Sequence, residues 1–488
     1  MKILFVCNRF ENLGVEILSA FLKSKGHEVE LAFDPQLFND GYLTIPFLAK
    51  KFDSRRRILK RVGSFKPDLI AFSVLTDNYL WAINISKLIK ERYSIPIVFG
   101  GIHPTSVPEI VMKNNCVDFV IRGEGEYALL ELITALEKDK SFSKINNLVF
   151  KKNNFPVING LRNFISDLDS LPYPDKDLFY KFIPYAKKTY TIMTSRGCPF
   201  NCTYCFNHML KKIHFDKGKY LRKRSVDNVI GELRKAKLKY GFNFVSILDD
   251  VFMFDNEWLK DFCKKYKEEI NIPFRCIGHV NFITEENASL LKIAGCKIIQ
   301  IGIQTTCDYT RKNIINRNET NETIERSSKI IKNHHIKLEV DHILGFPYET
   351  GKEQIEAAKF YNLIRPDIIN TYWLKCFPKT TIIKHMLEDN KLTIADVDRI
   401  ERGYGVSYIS GGSVKNRKEL QKFYSLLNMI PLLPQDTIRF IIKNRLYFLI
   451  DFGKPFLIFT RIIKSFFWKD IRLFEFLTFY KHYLSRNI

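Results

Sequence analysis

The chain has 488 residues, 46% of them hydrophobic, and a formal net charge of +23. That length suits two or three domains, and that apolar fraction excludes a chain dominated by disorder. The charge suits a nucleic-acid or acidic-membrane partner, but a lysine-favouring genome gives the same balance, and charge says nothing of fold.

The opening MKILFVCNRF carries one lysine and a short apolar run closed by Asn8 and Arg9. It is too short for a secretory signal and reads as a first strand. No stretch approaches 18 uninterrupted apolar residues, so a spanning helix is not expected, and the expected location is the cytoplasm. Ten cysteines are present. In a large cytosolic chain they are expected to be reduced. Seven stand isolated and are expected to be small buried residues.

Residues 1–150 alternate short apolar runs with amphipathic stretches. Strands are expected at 2–6, 27–33, 68–74, 95–101 and 118–126, with helices at 15–26, 79–93 and 127–138. This alternation predicts a doubly wound parallel sheet, with ligands at the carboxyl ends of its strands. The loops there are Asn8–Gly14, Ser73–Asn78, Gly100–Thr105 and Gly123–Glu126, and glycines in three of them let a large flat ligand approach the backbone. The Asp- and Pro-rich stretch 166–179 lacks periodicity and reads as linker. From Tyr190 six further strand–helix units follow, with strands at 190–195, 244–250, 274–280, 297–304, 337–345 and 367–377. They predict a partial TIM-type (β/α)6 barrel with its site at the strand C-termini. The expected domains are 1–150, a linker 151–185, the barrel 186–385, and a basic, aromatic, helical extension 386–488. The last 78 residues hold 14 Lys and Arg against five Asp and Glu, and 456–484 has amphipathic helical spacing.

Cys198, Cys202 and Cys205 form a C-x3-C-x2-C trio just after the first barrel strand. Structural zinc usually takes two cysteine pairs, and here His208 is the candidate for a fourth ligand. The spacing also suits a [4Fe–4S] cluster, which three thiolates leave with one open iron, a reaction site at a barrel mouth.

The motif TSRGCPFNCTYC, with Tyr204 before its last cysteine, resembles the radical S-adenosylmethionine (SAM) superfamily. The segments VLTDNYLWAINISKLIKERYSIPIVFGGIHPTSVPE, VDFVIRGEGE, LPYPDKDLF and LGFPYET resemble its branch with an N-terminal cobalamin-binding domain. The likeness covers about residues 1–385. It implies an α/β fold, a Rossmann-like cobalamin domain ahead of the radical SAM barrel, and three cofactors: a [4Fe–4S] cluster on Cys198, Cys202 and Cys205, SAM on its open iron, and cobalamin. It implies SAM contacts from Tyr204, Asp249, Asp250, Gln304, Gly345 and Pro347. Gln304 stands where many relatives carry Glu, and Lys379 replaces a glycine of their Pro-Gly-Thr. The implied cobalamin contacts are Asn12, Gly14, Ser73, Leu75, Thr76, Gly100, Gly101, His103, Gly123, Glu124 and Gly125. Methionine-synthase-like proteins ligate cobalt through the His of Asp-x-His-x-x-Gly; the matching RFENLG places Glu11 there, so no lower histidine ligand is expected from this loop.

The leading functional expectation is a methyltransferase acting on an unactivated carbon of a lipid or secondary metabolite, through a 5′-deoxyadenosyl radical and methylcobalamin. The alternative is an oxidative cyclase or rearrangement enzyme without methyl transfer; a zinc and nucleic-acid-binding protein is the least favoured. A methylthiotransferase is disfavoured, because only Cys7 and Cys116 lie in the N-terminal region. Expected partners are a small-molecule or lipid substrate and a reductase or flavodoxin-type electron donor. The basic tail is expected to cap the barrel mouth or to touch an anionic membrane surface, with nucleic acid the least favoured.

Overall fold

A computed structural model describes residues 1–39, 44–404, 417–449 and 471–484. The first strand, β1 (Lys2–Asn8), is buried over five consecutive residues, because both faces of its sheet are covered, as parallel sheets require. It is followed by β2 (Glu28–Asp34), β3 (Leu69–Ser73), β4 (Ile97–Gly100) and β5 (Phe119–Ile121). The order is β2-β1-β3-β4-β5, all parallel. Chain direction therefore switches between β1 and β3, and the ligand crevice of an open α/β sheet lies above that point.

An antiparallel hairpin, β6 (Leu148–Lys152) and β7 (Phe155–Ile158), extends this sheet. Its two turn residues, Asn153 and Asn154, have φ of 52° and 64°, the left-handed pair that a tight hairpin needs and that asparagine tolerates. The sheet thus continues to Ile158.

The second sheet joins β8 (Thr189–Ile192), β11 (Phe244–Ile247), β12 (Phe274–Gly278), β13 (Cys296–Gln304), β14 (Lys337–Leu344) and β15 (Ile368–Trp373) in sequential parallel order. Among the described residues β8 and β15 do not pair, so the barrel is open. Between β8 and β11, a short ribbon pairs β9 (Ser195–Arg196) with β10 (Arg222–Lys223) antiparallel. Helices alternate with the strands, and their caps are local. Thr350 and Glu353, for instance, form a reciprocal capping box at the start of helix Gly351–Ile364.

The helix Arg417–Met429 packs on β15 and on helix Gly351–Ile364, and Tyr424 stacks on Trp373 with centroids 5.8 Å apart. The last described helix, Ile471–Leu484, returns to the first domain. Tyr480 accepts a hydrogen bond from Phe38 N at 3.3 Å, and Tyr483 donates to Phe182 O at 3.1 Å. The tail aromatics Phe479, Tyr480 and Tyr483 thus complete the core of the N-terminal domain, where the sequence suggested a cap over the barrel. The remainder of the expected 456–484 helix, 456–470, lies outside the described residues.

Candidate active site

The cysteine loop leaves β9 at Gly197, which has φ of 91°. A Cβ there would stand 2.5 Å from Tyr220 O, so only glycine fits. Cys205 N donates to Cys202 O at 3.1 Å, and Thr203 N to Ile315 O at 3.2 Å. Cys205 is the N-cap of helix Phe206–Ile213. Burial lifts the thiols, Cys198 to about 11 and Cys205 to about 12, with Cys202 moved the same way. The charges of all three act on one another. Three desolvated thiols side by side fit a cationic centre that takes them as thiolates. Among the described residues no three His, Cys, Asp or Glu side chains close tightly enough to hold a single ion. The donor set is three soft thiols on one loop at the barrel mouth, which fits the three-thiolate cluster.

Asp249 and Asp250 follow β11 in the loop beyond its end, the first buried and the second exposed. Asp249 is fully buried. It accepts hydrogen bonds from Thr194 N at 2.6 Å, Thr194 Oγ1, and Ser195 Oγ at 2.6 Å. It anchors the chain that leads into the cysteine loop. Asp250 opens at the mouth beside Cys198 and Cys205. The protein mass around it pushes its carboxyl up to about 6; Asp249 adds to this and an Asn207 hydrogen bond opposes it.

Tyr204 sets its ring against Phe346, centroids 5.9 Å apart, and its hydroxyl meets Arg317. Arg317 donates to Gly302 O at 2.7 Å and pairs with Glu319. Phe200, within the loop, stacks on His279 with centroids 3.8 Å apart and planes 20° apart. Gln304 ends β13 with φ of 66°, next to a register shift between Gly302 and Gln304. A non-glycine residue held there stores strain, which functional sites commonly do. Gly345, with φ of 93°, and Pro347 are buried on either side of Phe346.

The residues expected around cobalamin gather at the carboxyl ends of the first sheet. Asn12 caps helix Leu13–Ser24, accepting from Val15 N at 3.1 Å, and donates to Ser73 Oγ at 3.2 Å. That bond spans the switch point between β1 and β3. Gly14 lies in the first turn of the same helix, its place for a Cβ 3.3 Å from Asn12 Oδ1. Leu75 is exposed at the rim, and Thr76 is buried beneath it. Gly100 ends β4. Gly101, with φ of 105°, leaves room only for hydrogen, since a Cβ would meet Val74 O at 2.7 Å. His103 is fully buried, its Nδ1 3.2 Å from Thr76 Oγ1 and its ring 4.2 Å from that of Tyr79. Burial pushes its imidazole down to about 3, so the ring is neutral. Its Nε2 is buried with no hydrogen-bond partner among the described residues. A glycine cradle beside an orphaned buried nitrogen fits a flat polar cofactor laid on these loops. Gly123, with φ of 68°, packs against His214 of the second domain, and Gly125 caps helix Glu126–Glu137.

Glu124 points across the domain boundary. It pairs with Arg196 at 2.8 Å and Arg222 at 2.9 Å, and Glu126 pairs with Arg196 at 2.6 Å. Burial would lift the Glu124 carboxyl, but Arg196 and Arg222 outweigh it and hold it below its usual range. Arg196 lies two residues before Cys198. One clamp therefore ties a loop of the first sheet to the root of the cysteine loop. Sequence reading missed Arg196, Arg222, Glu126, Arg317 and Glu319, whose roles arise only from contacts between distant segments.

A switch-point crevice facing an open six-stranded barrel with three thiols at its mouth defines a radical SAM enzyme with an N-terminal cobalamin-binding domain. Family models agree: residues 6–133 match the B12 binding domain and residues 192–361 the radical SAM superfamily. The chain belongs to this B12-binding branch of the radical SAM superfamily. It is 30% identical over 344 residues to an uncharacterized methyltransferase of Pyrococcus horikoshii, covering 69% of this chain and 72% of that one. It is 22% identical to the anaerobic magnesium-protoporphyrin IX monomethyl ester cyclase of Rubrivivax gelatinosus, covering 82% and 72%. The fold is similar to that of the cobalamin-dependent SAM radical enzyme OxsB, with TM-score 0.69 at 18% identity, covering 96% and 75%.

Proposed function

We propose that this protein is a cobalamin-dependent radical SAM methyltransferase acting on an unactivated carbon of a lipid or other small molecule. The observation that carries the reading is the Glu124–Arg196–Glu126 clamp, which fixes the cobalamin-side loops against the cysteine loop. The methyltransferase name of the Pyrococcus relative supports the reaction class. When bound, the cluster and SAM supply one-electron hydrogen abstraction, and cobalamin carries the methyl group.

The chain's own part is to bind, orient and exclude water. Cys198, Cys202 and Cys205 hold the cluster. Asp250, Tyr204, Gln304, Gly345 and Pro347 form the SAM side, and Asp249 keeps the loop in place through Thr194 and Ser195. Asn12, Gly14, Ser73, Leu75, Thr76, Gly100, Gly101, His103, Gly123 and Gly125 form the cobalamin side, and Glu124 serves by holding Arg196. The test is anaerobic turnover with methyl-deuterated SAM on fractionated small molecules and lipids. A product heavier by the labelled methyl group supports methyl transfer. A SAM-dependent product without label points instead to a cyclase or rearrangement.

No helix among the described residues is long and apolar enough to cross a membrane. We propose peripheral contact with an anionic membrane through the C-terminal region. The outward Phe440, Phe448 and Leu449 lie near Arg439, Lys443 and Arg445 in sequence. Failure to bind anionic liposomes at low salt, where attraction is greatest, refutes that contact.

A further inference from the structure

The cysteine loop is enclosed on three sides. The clamp on Arg196 closes it toward the first domain. Phe200 on His279 and Tyr204 against Phe346 close it toward the barrel. Thr203 Oγ1, donating to Ile314 O at 2.7 Å, ties it to the segment after β13. The remaining side faces outward. There Asn201, between Cys198 and Cys202, is exposed. It accepts from Lys211 Nζ at 2.9 Å, and the same ammonium reaches Phe200 O at 2.8 Å.

Helix Phe206–Ile213 starts from Cys205 and runs eight residues, about 12 Å, to the surface. Just beyond its end Phe215 is 90% exposed. Between residues 206 and 224 the chain has seven Lys and Arg against one acid, Asp216. Arg222, Lys223 and Arg224 turn inward to Glu124, Phe252 O and Glu232. Lys212 and Lys219 stay exposed and Lys217 partly so. An aromatic anchor within a basic rim is the composition of a protein-docking surface for an acidic partner. Its place is one short helix from the three thiols.

We infer that the face made by Asn201, Lys212, Phe215, Lys217 and Lys219 is the docking surface for an acidic one-electron carrier protein of the flavodoxin type. The inference rests on the radical SAM reading, because reductive SAM cleavage consumes one electron. That electron leaves the carrier's reduced flavin and is accepted at the Cys198–Cys202–Cys205 centre; no atom moves with it. Positive charge at the rim speeds encounter and makes it salt-dependent.

Flavodoxin is the probe, with the full-length reconstituted chain and two variants, F215S and K212E/K219E. Their side chains are solvent-facing, so iron content stays at the parent level. Flavodoxin affinity is measured by calorimetry at low and high salt. SAM cleavage is measured in parallel with reduced flavodoxin and with dithionite. The expected result at about 50 mM salt is an affinity loss of about tenfold with a flattened salt dependence. Flavodoxin-driven cleavage falls with it, and dithionite-driven cleavage is unchanged. Equal binding and equal reduction of parent and variants overturn the proposal. So do variants that lose binding to phosphatidylglycerol vesicles but keep flavodoxin, which assigns the patch to a membrane. If dithionite fails to drive cleavage in the parent, the radical SAM reading falls, and the binding measurement still decides the surface.

Discussion

Lys176 and Glu11 form a buried ion pair, Nζ to Oε1 2.7 Å, at the loop position where methionine-synthase-like proteins present histidine to cobalt. The same ammonium lies 2.9 Å from Glu16 Oε2. Burial opposes the charge on Lys176, yet Glu11 and Glu16 together hold it charged. Burial lifts Glu16 well above the usual carboxylate range despite Lys176. Glu11 is thus committed to the linker lysine and joins helix Leu13–Ser24 to the segment that enters the barrel.

Lys176→Met leaves two buried carboxylates sharing no cation. The expected cost is about 3–5 kcal/mol of stability, read by urea unfolding. Adding Glu11→Gln recovers most of it, because the unpaired charge is then gone, while Glu16, already lifted by burial, takes up a proton.

The two adjacent aspartates separate by role. Asp249→Asn weakens three charge-assisted bonds to Thr194 and Ser195, each worth about 1.5–3 kcal/mol, and lowers both thermal stability and iron content. Asp250→Asn removes no bond to the chain that leads into the cysteine loop, so iron content stays at the parent level, and it weakens SAM binding measured by calorimetry on the reconstituted protein.

Gly101→Ala sets a Cβ 2.7 Å from Val74 O at a positive φ. It is expected to abolish cobalamin retention, seen as loss of the bound-cobalamin absorption after desalting. Gly100→Ala, whose nearest neighbour is Ile121 O at 3.9 Å, keeps it.

Arg196→Gln breaks a clamp in which Glu124 and Glu126 are largely buried. Hydrogen exchange is expected to rise together at 121–126 and 195–198, two segments far apart in sequence. A rise at only one of them rules out a shared joint.

Glu349 supplies a pH test. Burial pushes its carboxyl up to about 7, against hydrogen bonds from Thr305, Thr310 and Gln354. The folded value lies above the unfolded value of about 4.3. Its stabilising contribution is therefore complete below about pH 4.3 and is lost as pH rises through about 7. Glu349→Gln has no such loss, so its stability relative to the parent should increase between pH 5 and 8 in urea titrations. A constant difference contradicts the raised carboxyl.

The parts of the site legible in the sequence are those that act locally. C-x3-C-x2-C, Gly100-Gly101 and the strand-end loops each carry their geometry within a few residues. The Asp249-Asp250 pair was legible as a strand end, but which carboxylate faces the mouth depends on contacts with Thr194, 55 residues away. The clamp pairs residues 70 and 72 apart, and no periodicity announces such a pair. Lys176 read as part of a polar linker and is buried because Glu11, Glu16 and the Tyr190 ring, all distant in sequence, close around its ammonium. The hairpin at 148–158 did have a signal, Asn153-Asn154 between alternating residues, which the strand–helix rhythm before it overshadowed. The tail's aromatic pattern gave a helix, but its partner is the N-terminal domain, a choice made by tertiary packing.

The central claim is that one chain holds both a [4Fe–4S] cluster and cobalamin. The direct measurement is anaerobic reconstitution in the presence of hydroxocobalamin, followed by iron, sulfide and cobalt analysis and a UV–visible spectrum. About four iron and about one cobalt per chain are expected, with Cys202→Ala losing the iron and keeping the cobalt. Zinc in place of iron and sulfide, or a parent protein that retains no cobalt, would contradict the account.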